Sequence, residues 1–340
     1  MADGYRREYF DPQAAGGALD EATGTISFTL RDGDRLVSTY VYNDDVVLAV
    51  NVALAVNRPL LVSGEPGSGK STLARNVAAV LGWRYYQRVI TSRTQARDLL
   101  WSFDAVRRLG DAQAGMQDGR RELLPKPFYV EPEALWWAFD PASAAVRGME
   151  PDQLTPEQRA HPAFRAADPG TAGDPARAVV LLDEIDKADP DMPNDMLEPL
   201  DVGSFRVHET DARVERGDRR VMLIITTNGE RELPPAFLRR CVTLHLPRPR
   251  ADWLARIGGE RFPRADAALV RELAREVMRL RREAHGRRLR EPSTAEYLDA
   301  LAVCAGLGIT TESPAWERAR QAVLLKHAPV EEPDEEPETP

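Results

Sequence analysis

The chain reads as an α/β protein, a parallel five-stranded sheet sandwiched by helices and followed by a small all-helical domain. Three observations predict this. Ala178-Val179-Val180-Leu181-Leu182 is an unbroken apolar run ending in Asp183-Glu184, and a strand with no polar face is one covered on both sides, as in a parallel sheet between helices. Four further stretches of strand character are separated by helical patterns, the signature of alternating β and α layers. From Ala251 onward apolar residues recur at helical spacing, with Leu269, Leu273, Val277 and Leu280 on one face.

Taken in order, residues 1–24 are polar and glycine-bearing and read as a loose arm. Thr25–Leu30 and Arg35–Tyr42 flank Asp32-Gly33 and predict a hairpin. Asn43 or Asp44 can cap a helix whose apolar face is Val46, Val47, Val50 and Leu54. Pro59–Ser63 is the first core strand, Ser71–Leu81 a helix closed by Gly82, and Trp83–Ile90 the second strand, dense in aromatic and β-branched residues. Ala96–Leu109 reads as helical with Leu99, Leu100, Phe103 and Val106 on one side. Leu123–Val130 is interrupted by prolines, and Glu133–Phe139 predicts a helix carrying Trp136 and Trp137. Pro141–Ala176 has weak periodicity and is too long for a structureless connection in a compact domain, so it reads as an insertion, functional or disordered. Val221–Thr226 and Val242–Leu246 complete the sheet. Asp266–Ala284 is helical, Ser293 to Glu296 forms a capping box, and Trp316–Lys326 is a last helix. The predicted organisation is an arm and hairpin over 1–36, an α/β domain over 37–250 with an insertion at about 110–177, a helical domain over 251–328, and a disordered acidic segment over 329–340.

The formal charge is −9, but residues 329–340 hold six acids and no base, which leaves −3 for the rest. That balance argues against broad, charge-driven nucleic-acid binding, although a local arginine patch remains compatible with a nucleic-acid strand. Cys241 and Cys304 are the only cysteines, too few for a disulfide framework or a cysteine metal cluster, and fit a reduced cytoplasmic setting. No apolar run reaches the length of a membrane span; the longest, Val46–Val56, is broken by Asn51.

The chemistry concentrates in GEPGSGKS, Gly64 to Ser71, which fits G-x-x-x-x-G-K-[ST] and lies between a strand and a helix. Gly64, Gly67 and Gly69 let the loop turn its N–H groups inward toward phosphate, Lys70 can neutralise β- and γ-phosphate oxygens, and Ser71 can ligate Mg²⁺. Lys70 is one of only four lysines, against 41 arginines, so the match owes little to composition. Asp183 and Glu184 stand at the end of the most buried predicted strand, where a parallel sheet places its ligands. Asp183 can complete the Mg²⁺ shell opposite Ser71, and Glu184 can orient or deprotonate a water. The plainer alternative is that the pair caps the helix near Pro190. Asn228 ends the next strand and can orient water without adding charge, or can simply be a turn residue before Gly229. Arg239 and Arg240 follow the bend at Leu233-Pro234-Pro235. A guanidinium there can reach a neighbouring subunit's nucleotide, or can remain on the solvated surface.

With VVLLDEIDKA and TTNGERELPPAFLRRC added to the loop, the chain resembles the AAA+ ATPases, and among them the MoxR-type ring-forming chaperones, over residues 37–326. The resemblance implies ATP and Mg²⁺ as ligands. Gly64, Glu65, Pro66, Gly67, Ser68, Gly69, Lys70, Ser71 and Thr72 would contact nucleotide as the Walker A segment. Asp183 and Glu184 would form Walker B, Ser71 and Asp183 would hold the metal, Asn228 would be sensor 1, and Arg240, with Arg239 as its alternate, the arginine finger. It further implies a ring, expected to be a hexamer, and a protein client, with von Willebrand factor A domain proteins as partners of that branch. One departure stands out: no arginine follows Pro292, where many AAA+ proteins place a γ-phosphate contact, so Arg287, Arg288 and Arg290 are the candidates to replace it. Phe128 and Tyr129 fall where the family inserts pore-facing elements and could grip a client chain there, although aromatics in such a segment more often simply pack. Three readings follow: a client-remodelling ATPase, a DNA-translocating or restriction-associated ring, and a nucleotide-gated switch with little turnover.

Overall fold

A computed structural model describes residues 5–33, 35–118, 123–150, 154–161, 164, 167–287 and 290–325. The chain divides into two compact units, residues 1–65 with 70–246 and residues 66–69 with 247–340.

In the first unit the chain begins with β1 (Ala18–Asp20), β2 (Thr25–Asp32) and β3 (Arg35–Tyr42), a three-stranded antiparallel sheet. The predicted hairpin is β2–β3. The stretch read as a loose arm is tied down, because Phe10 is buried and Asn51 grips its backbone. Asn51 Oδ1 accepts from the N–H groups of Tyr9 and Phe10, both at 3.0 Å, and Nδ2 donates to the carbonyls of Phe10 at 2.7 Å and Val47 at 2.9 Å. The polar residue that interrupts the apolar run is therefore fully bonded rather than misplaced. Asn51 lies on α1 (Asp44–Val56), which Asn43 caps by accepting from the Val46 N–H.

β4 (Leu60–Ser63), α2 (Lys70–Leu81) and β5 (Trp83–Val89) follow as predicted. The helix expected over 96–109 is divided instead. A 3-10 turn at Ala96–Leu99 precedes β6 (Trp101–Phe103), and α3 (Ala105–Asp118) starts afresh. The physical reason is that Leu99, Leu100 and Trp101 are drawn into the core while Val106 and Leu109 stay 83% and 60% exposed, so the four-residue apolar face was never one face. β6 pairs antiparallel with β7 (Val130–Pro132). Next come α4 (Ala134–Phe139), α5 (Pro141–Ala145) and α6 (Pro156–Ala160), so the weakly periodic stretch is in part helical. β8 (Asp174–Asp183) starts before its apolar run. After it come α7 (Met192–Asp195), α8 (Leu197–Val202), the hairpin β9 (Ser204–Val207) and β10 (Ala212–Glu215), then β11 (Arg220–Thr227), α9 (Pro235–Leu238) and β12 (Val242–His245).

The central sheet has the order β12-β4-β11-β8-β5, and every pairing in it is parallel. Successive side chains alternate between its faces. Leu60, Val62, Val179, Leu181 and Ile224 meet α1 and α2 through Val50, Leu73 and Val77. Leu61, Val180, Leu182 and Ile225 meet Trp136 and Phe139 of α4 on the other face. Parallel pairing in register then brings Ser63, Asp183 and Thr227 to one edge, where the functional residues collect.

Phe128 and Tyr129 do not face a pore. They are 1% and 0% exposed, Phe128 packs edge-on against Phe164, and the Tyr129 hydroxyl donates to Asp111 at 2.8 Å. Arg147, itself buried, holds this segment through the carbonyls of Phe128 and Val130 and through Glu131 at 2.8 Å.

The second unit contains α10 (Ala251–Arg261), α11 (Ala267–Arg287), α12 (Thr294–Leu307) and α13 (Trp316–Val323), packed around Leu254, Leu273, Val277, Tyr297, Leu301 and Trp316. Gly258 permits the closest approach, since a Cβ there would lie 2.4 Å from the Tyr297 hydroxyl. The capping box forms: Ser293 Oγ accepts from the Glu296 N–H and Glu296 accepts from the Ser293 N–H. Arg290 donates to Glu296 at 2.7 Å, which ties this lid-arginine candidate to the helix start. The Arg287 side chain, Arg288 and the acidic segment 329–340 lie outside the described residues. Among the described residues no helix is long and apolar enough to cross a membrane.

Candidate active site

The loop after β4 has the backbone its glycines allow: φ is 152° at Gly64, 76° at Gly67 and 97° at Gly69, a region costly for residues with a Cβ. The loop opens into α2, whose first residue is Lys70. Its ammonium is buried and donates to the carbonyls of Gly64 at 2.7 Å and Glu65 at 2.9 Å and to Asn228 Oδ1 at 2.7 Å. Burial lowers the Lys70 pKa, and the nearby charges of Asp183, Asp186, Glu184 and Glu65 oppose that shift.

Ser71 Oγ lies 2.9 Å from both carboxylate oxygens of Asp183 and donates to that group. Asp183 ends β8 and Ser71 follows the loop that leaves β4, and β11 pairs in parallel with both strands, so the sheet brings the two residues to the same edge. Hydroxyl and carboxylate side by side are all-oxygen ligands suited to Mg²⁺, which commonly takes one or two protein groups and fills its shell with phosphate and water. Among the described residues no group of three His, Cys, Asp or Glu side chains could hold a metal by itself. Ser68 Oγ in the loop is buried with no hydrogen-bond partner among the described residues, a donor that an anion in the loop could use.

Glu184 turns the chain off the strand with φ 64° and ψ 51°, a left-handed conformation unusual for a non-glycine residue. Its N–H donates to Thr226 Oγ1 at 2.9 Å, and Thr226 in turn donates to Asp183 at 2.5 Å. Both Glu184 carboxylate oxygens are engaged, one by Lys187 Nζ at 2.7 Å and the other by Asn228 Nδ2 at 3.3 Å. That contact raises the Lys187 pKa. The Asn228 amide thus links the cation of Lys70 to the anion of Glu184, with no charge of its own. Its backbone is fixed by Asp186, whose buried carboxylate accepts from the N–H groups of Asn228 at 3.1 Å and Glu230 at 3.0 Å.

Lys70, Ser71, Asp183, Glu184 and Asn228 therefore form one bonded cluster. Thr226, Asp186 and Lys187 support it and escaped the sequence reading. The available signals were a second acid two residues after Glu184 and a hydroxyl one residue inside the end of β11. Arg239 and Arg240 lie elsewhere, just before β12. Val242 pairs with Leu60 at the start of β4, whereas the loop leaves from Ser63 at its other end. Arg240 is exposed and bonds Asp201 at 3.1 Å, and the Arg239 carbonyl accepts from Arg58 at 3.3 Å. Neither arginine belongs to the cluster on its own chain.

No curated protein matches the chain. Among solved structures, the Thermotoga maritima RuvB Holliday junction branch migration motor is 11% identical with a TM-score of 0.40, over 82% of this chain and 66% of that one, just under two thirds of its length. A point variant of that motor gives 11% identity and a TM-score of 0.43, over 83% of this chain and 69% of that one. Residues 59–241 match the model of the AAA domain, dynein-related subfamily, a stretch that runs from the residue before β4 to the residue before β12. Because that match takes in more than half of the 340 residues, the chain belongs to the AAA family, in its dynein-related subfamily.

Proposed function

We propose that this protein is a Mg²⁺-dependent ATPase that binds ATP on one subunit, completes the cleavage site with Arg240 of the next, and uses the cycle to remodel a protein client. The observation that carries the reading is the continuous bonded cluster of Lys70, Ser71, Asp183, Glu184 and Asn228 at the carboxyl edge of a parallel sheet. In it, Lys70 would exchange the carbonyls of Gly64 and Glu65 for phosphate oxygens, with the loop N–H groups around the same anion. Magnesium held by Ser71 and Asp183 would supply the positive charge that draws electron density off the phosphoryl oxygens. Glu184 would orient the attacking water and accept its proton once its carboxylate leaves Lys187, while Asn228 stays within reach of both. Arg240 would stabilise charge on the transferring phosphoryl group in trans, after leaving its solvent-exposed pair with Asp201, a contact of small cost to break. The MoxR-type resemblance supports a ring, a hexamer by expectation, and a client of the von Willebrand factor A domain kind, and the two free cysteines support a reduced cytoplasmic setting.

Glu184→Gln tests the cluster. ATP affinity stays within about threefold while turnover falls at least about 100-fold. Retained hydrolysis would move the water-activating role elsewhere. The hold of Lys187 on Glu184 favours a second reading, a nucleotide-gated switch; tight ATP binding with negligible turnover by the unaltered protein, even with its client, would support it.

A further inference from the structure

At the amino-terminal edge of the central sheet, opposite the phosphate loop, lies a cavity of about 930 Å³ that the proposed chemistry does not use beyond Arg240. Its wall presents Arg58, Arg177, Arg216, Arg219, Arg220 and Arg240, because β8 and β11 pair Arg177 with Arg220 at their starts and the segment after β10 adds two more. Three carboxylates, Glu8, Asp11 and Asp201, stand against the six guanidiniums, so positive charge is in excess. Three of these arginines are held in place through their guanidinium groups: that of Arg177 lies over the Trp83 ring and pairs with Asp174 at 3.3 Å, that of Arg216 lies over the Phe139 ring, and that of Arg219 donates to the Pro175 carbonyl. A preordered array of this kind loses little side-chain entropy on binding an anion.

Apolar groups from Leu54, Leu81 and Trp83 line the same cavity as the arginines. A carboxylate-bearing peptide with apolar residues between its charges suits both. This chain carries such a sequence at 331–340, EEPDEEPETP, with six acids, three prolines and no base. Ten residues of chain reach at most about 33 Å, and proline restricts the backbone of any peptide that carries it, which reduces the cost of ordering on binding.

We propose that the arginine-lined cavity of one copy receives the acidic segment 331–340 of another copy. The inference rests on the intersubunit reading only for its between-copies part, through Arg240 in the cavity wall. The segment would then link neighbouring copies and, by engaging Arg240, hold back the arginine that cleavage needs.

The test uses full-length protein whose six acids between 331 and 338 are changed to their amides, so that its own segment does not compete. A fluorescent peptide of residues 327–340 binds this protein at 50 mM salt with micromolar affinity, and at least about tenfold more weakly at 300 mM. Arg216→Glu with Arg219→Glu weakens it at least tenfold, and Lys70→Ala leaves it unchanged, which separates this site from the nucleotide reading. In the unaltered protein, peptide uptake is blocked only at concentrations where copies associate. No binding at 50 mM salt, indifference to the arginine substitutions, or equal binding of an all-amide peptide would overturn the proposal. Displacement by a single-stranded DNA 12-mer at lower concentration than the unlabelled peptide would overturn it in favour of a nucleic-acid groove. Blockade that persists at dilutions where the chain is monomeric would overturn the between-copies part. Arg240→Ala with fully intact peptide binding would overturn the claim that the segment engages Arg240, and loss of turnover in that same variant would keep the ATPase reading separate from it.

Discussion

Thr226 Oγ1 donates to Asp183 at 2.5 Å and accepts from the Glu184 N–H at 2.9 Å, so one hydroxyl fixes both acids of the site. Thr226→Val keeps the β-branched shape that the buried strand favours and removes only the polar atom. The Glu184 N–H is then left unpaired at a left-handed residue, and stability falls by about 1–3 kcal/mol in urea titration. Turnover falls about tenfold with ATP affinity little changed, because the carboxylates lose register while Lys70 and the loop remain. A variant with unaltered turnover would show that the Glu184 turn holds itself. Cys241 gives a second check at this scale. Burial pushes its thiol up to about 11. A raised thiol pKa favours the protonated form, so at pH 8 only about a thousandth is thiolate. Alkylation at pH 8 is therefore slow in the folded protein and rises to the model-thiol rate in denaturant, as mass spectrometry would follow; fast labelling of the native protein contradicts the burial. Lys70, Ser71, Asp183, Glu184 and Asn228 were legible as residues because each sits at a fixed offset from an apolar strand. Thr226, Asp186 and Lys187 were not, because a hydroxyl, an acid and a lysine near a strand end have many ordinary uses, and only the pairing of β8 with β11 selects one.

Among the elements, α1 shows how a polar residue can organise apolar surroundings. Asn51 binds the backbone of Tyr9, Phe10 and Val47, and through them seats the N-terminal stretch on the helix. Asn51→Ala leaves buried backbone groups of Phe10 without partners and costs about 2–3 kcal/mol, with proteolysis near residues 5–12 as the local readout. Stability within 0.5 kcal/mol of the parent would mean that this contact is incidental. The strands of the sheet were readable from composition, since β8 and β11 are apolar along nearly their whole buried length. The segment from Ala96 to Val130 was not, although the helix that follows it, α4, was. There a helical spacing at Leu99, Leu100, Phe103 and Val106 arises from a turn, a short strand and the first residues of a separate helix, and only the cross-strand partner at Val130 distinguishes them. Phe128 and Tyr129 were equally ambiguous, because aromatic side chains serve cores and client-gripping loops alike. Their burial decides it.

For the molecule as a whole, the sheet separates two chemistries. Its carboxyl edge gathers the phosphate loop, Asp183, Glu184 and Asn228, and its amino edge gathers arginines, including Arg240. Under the proposed reading, cleavage of a nucleotide held by one copy takes Arg240 from another copy. The measurement that bears on this most directly is ATP turnover in a mixture of Lys70→Ala and Arg240→Ala proteins, each inactive alone. The Lys70 variant cannot hold ATP but can lend Arg240, and the Arg240 variant can hold ATP but lends nothing. Mixing is predicted to restore a fraction of parental turnover that passes through a maximum as the ratio of the two is varied. Turnover that stays at the sum of the separate proteins at every ratio, or an Arg240→Ala protein that is fully active alone, would contradict a site shared between copies.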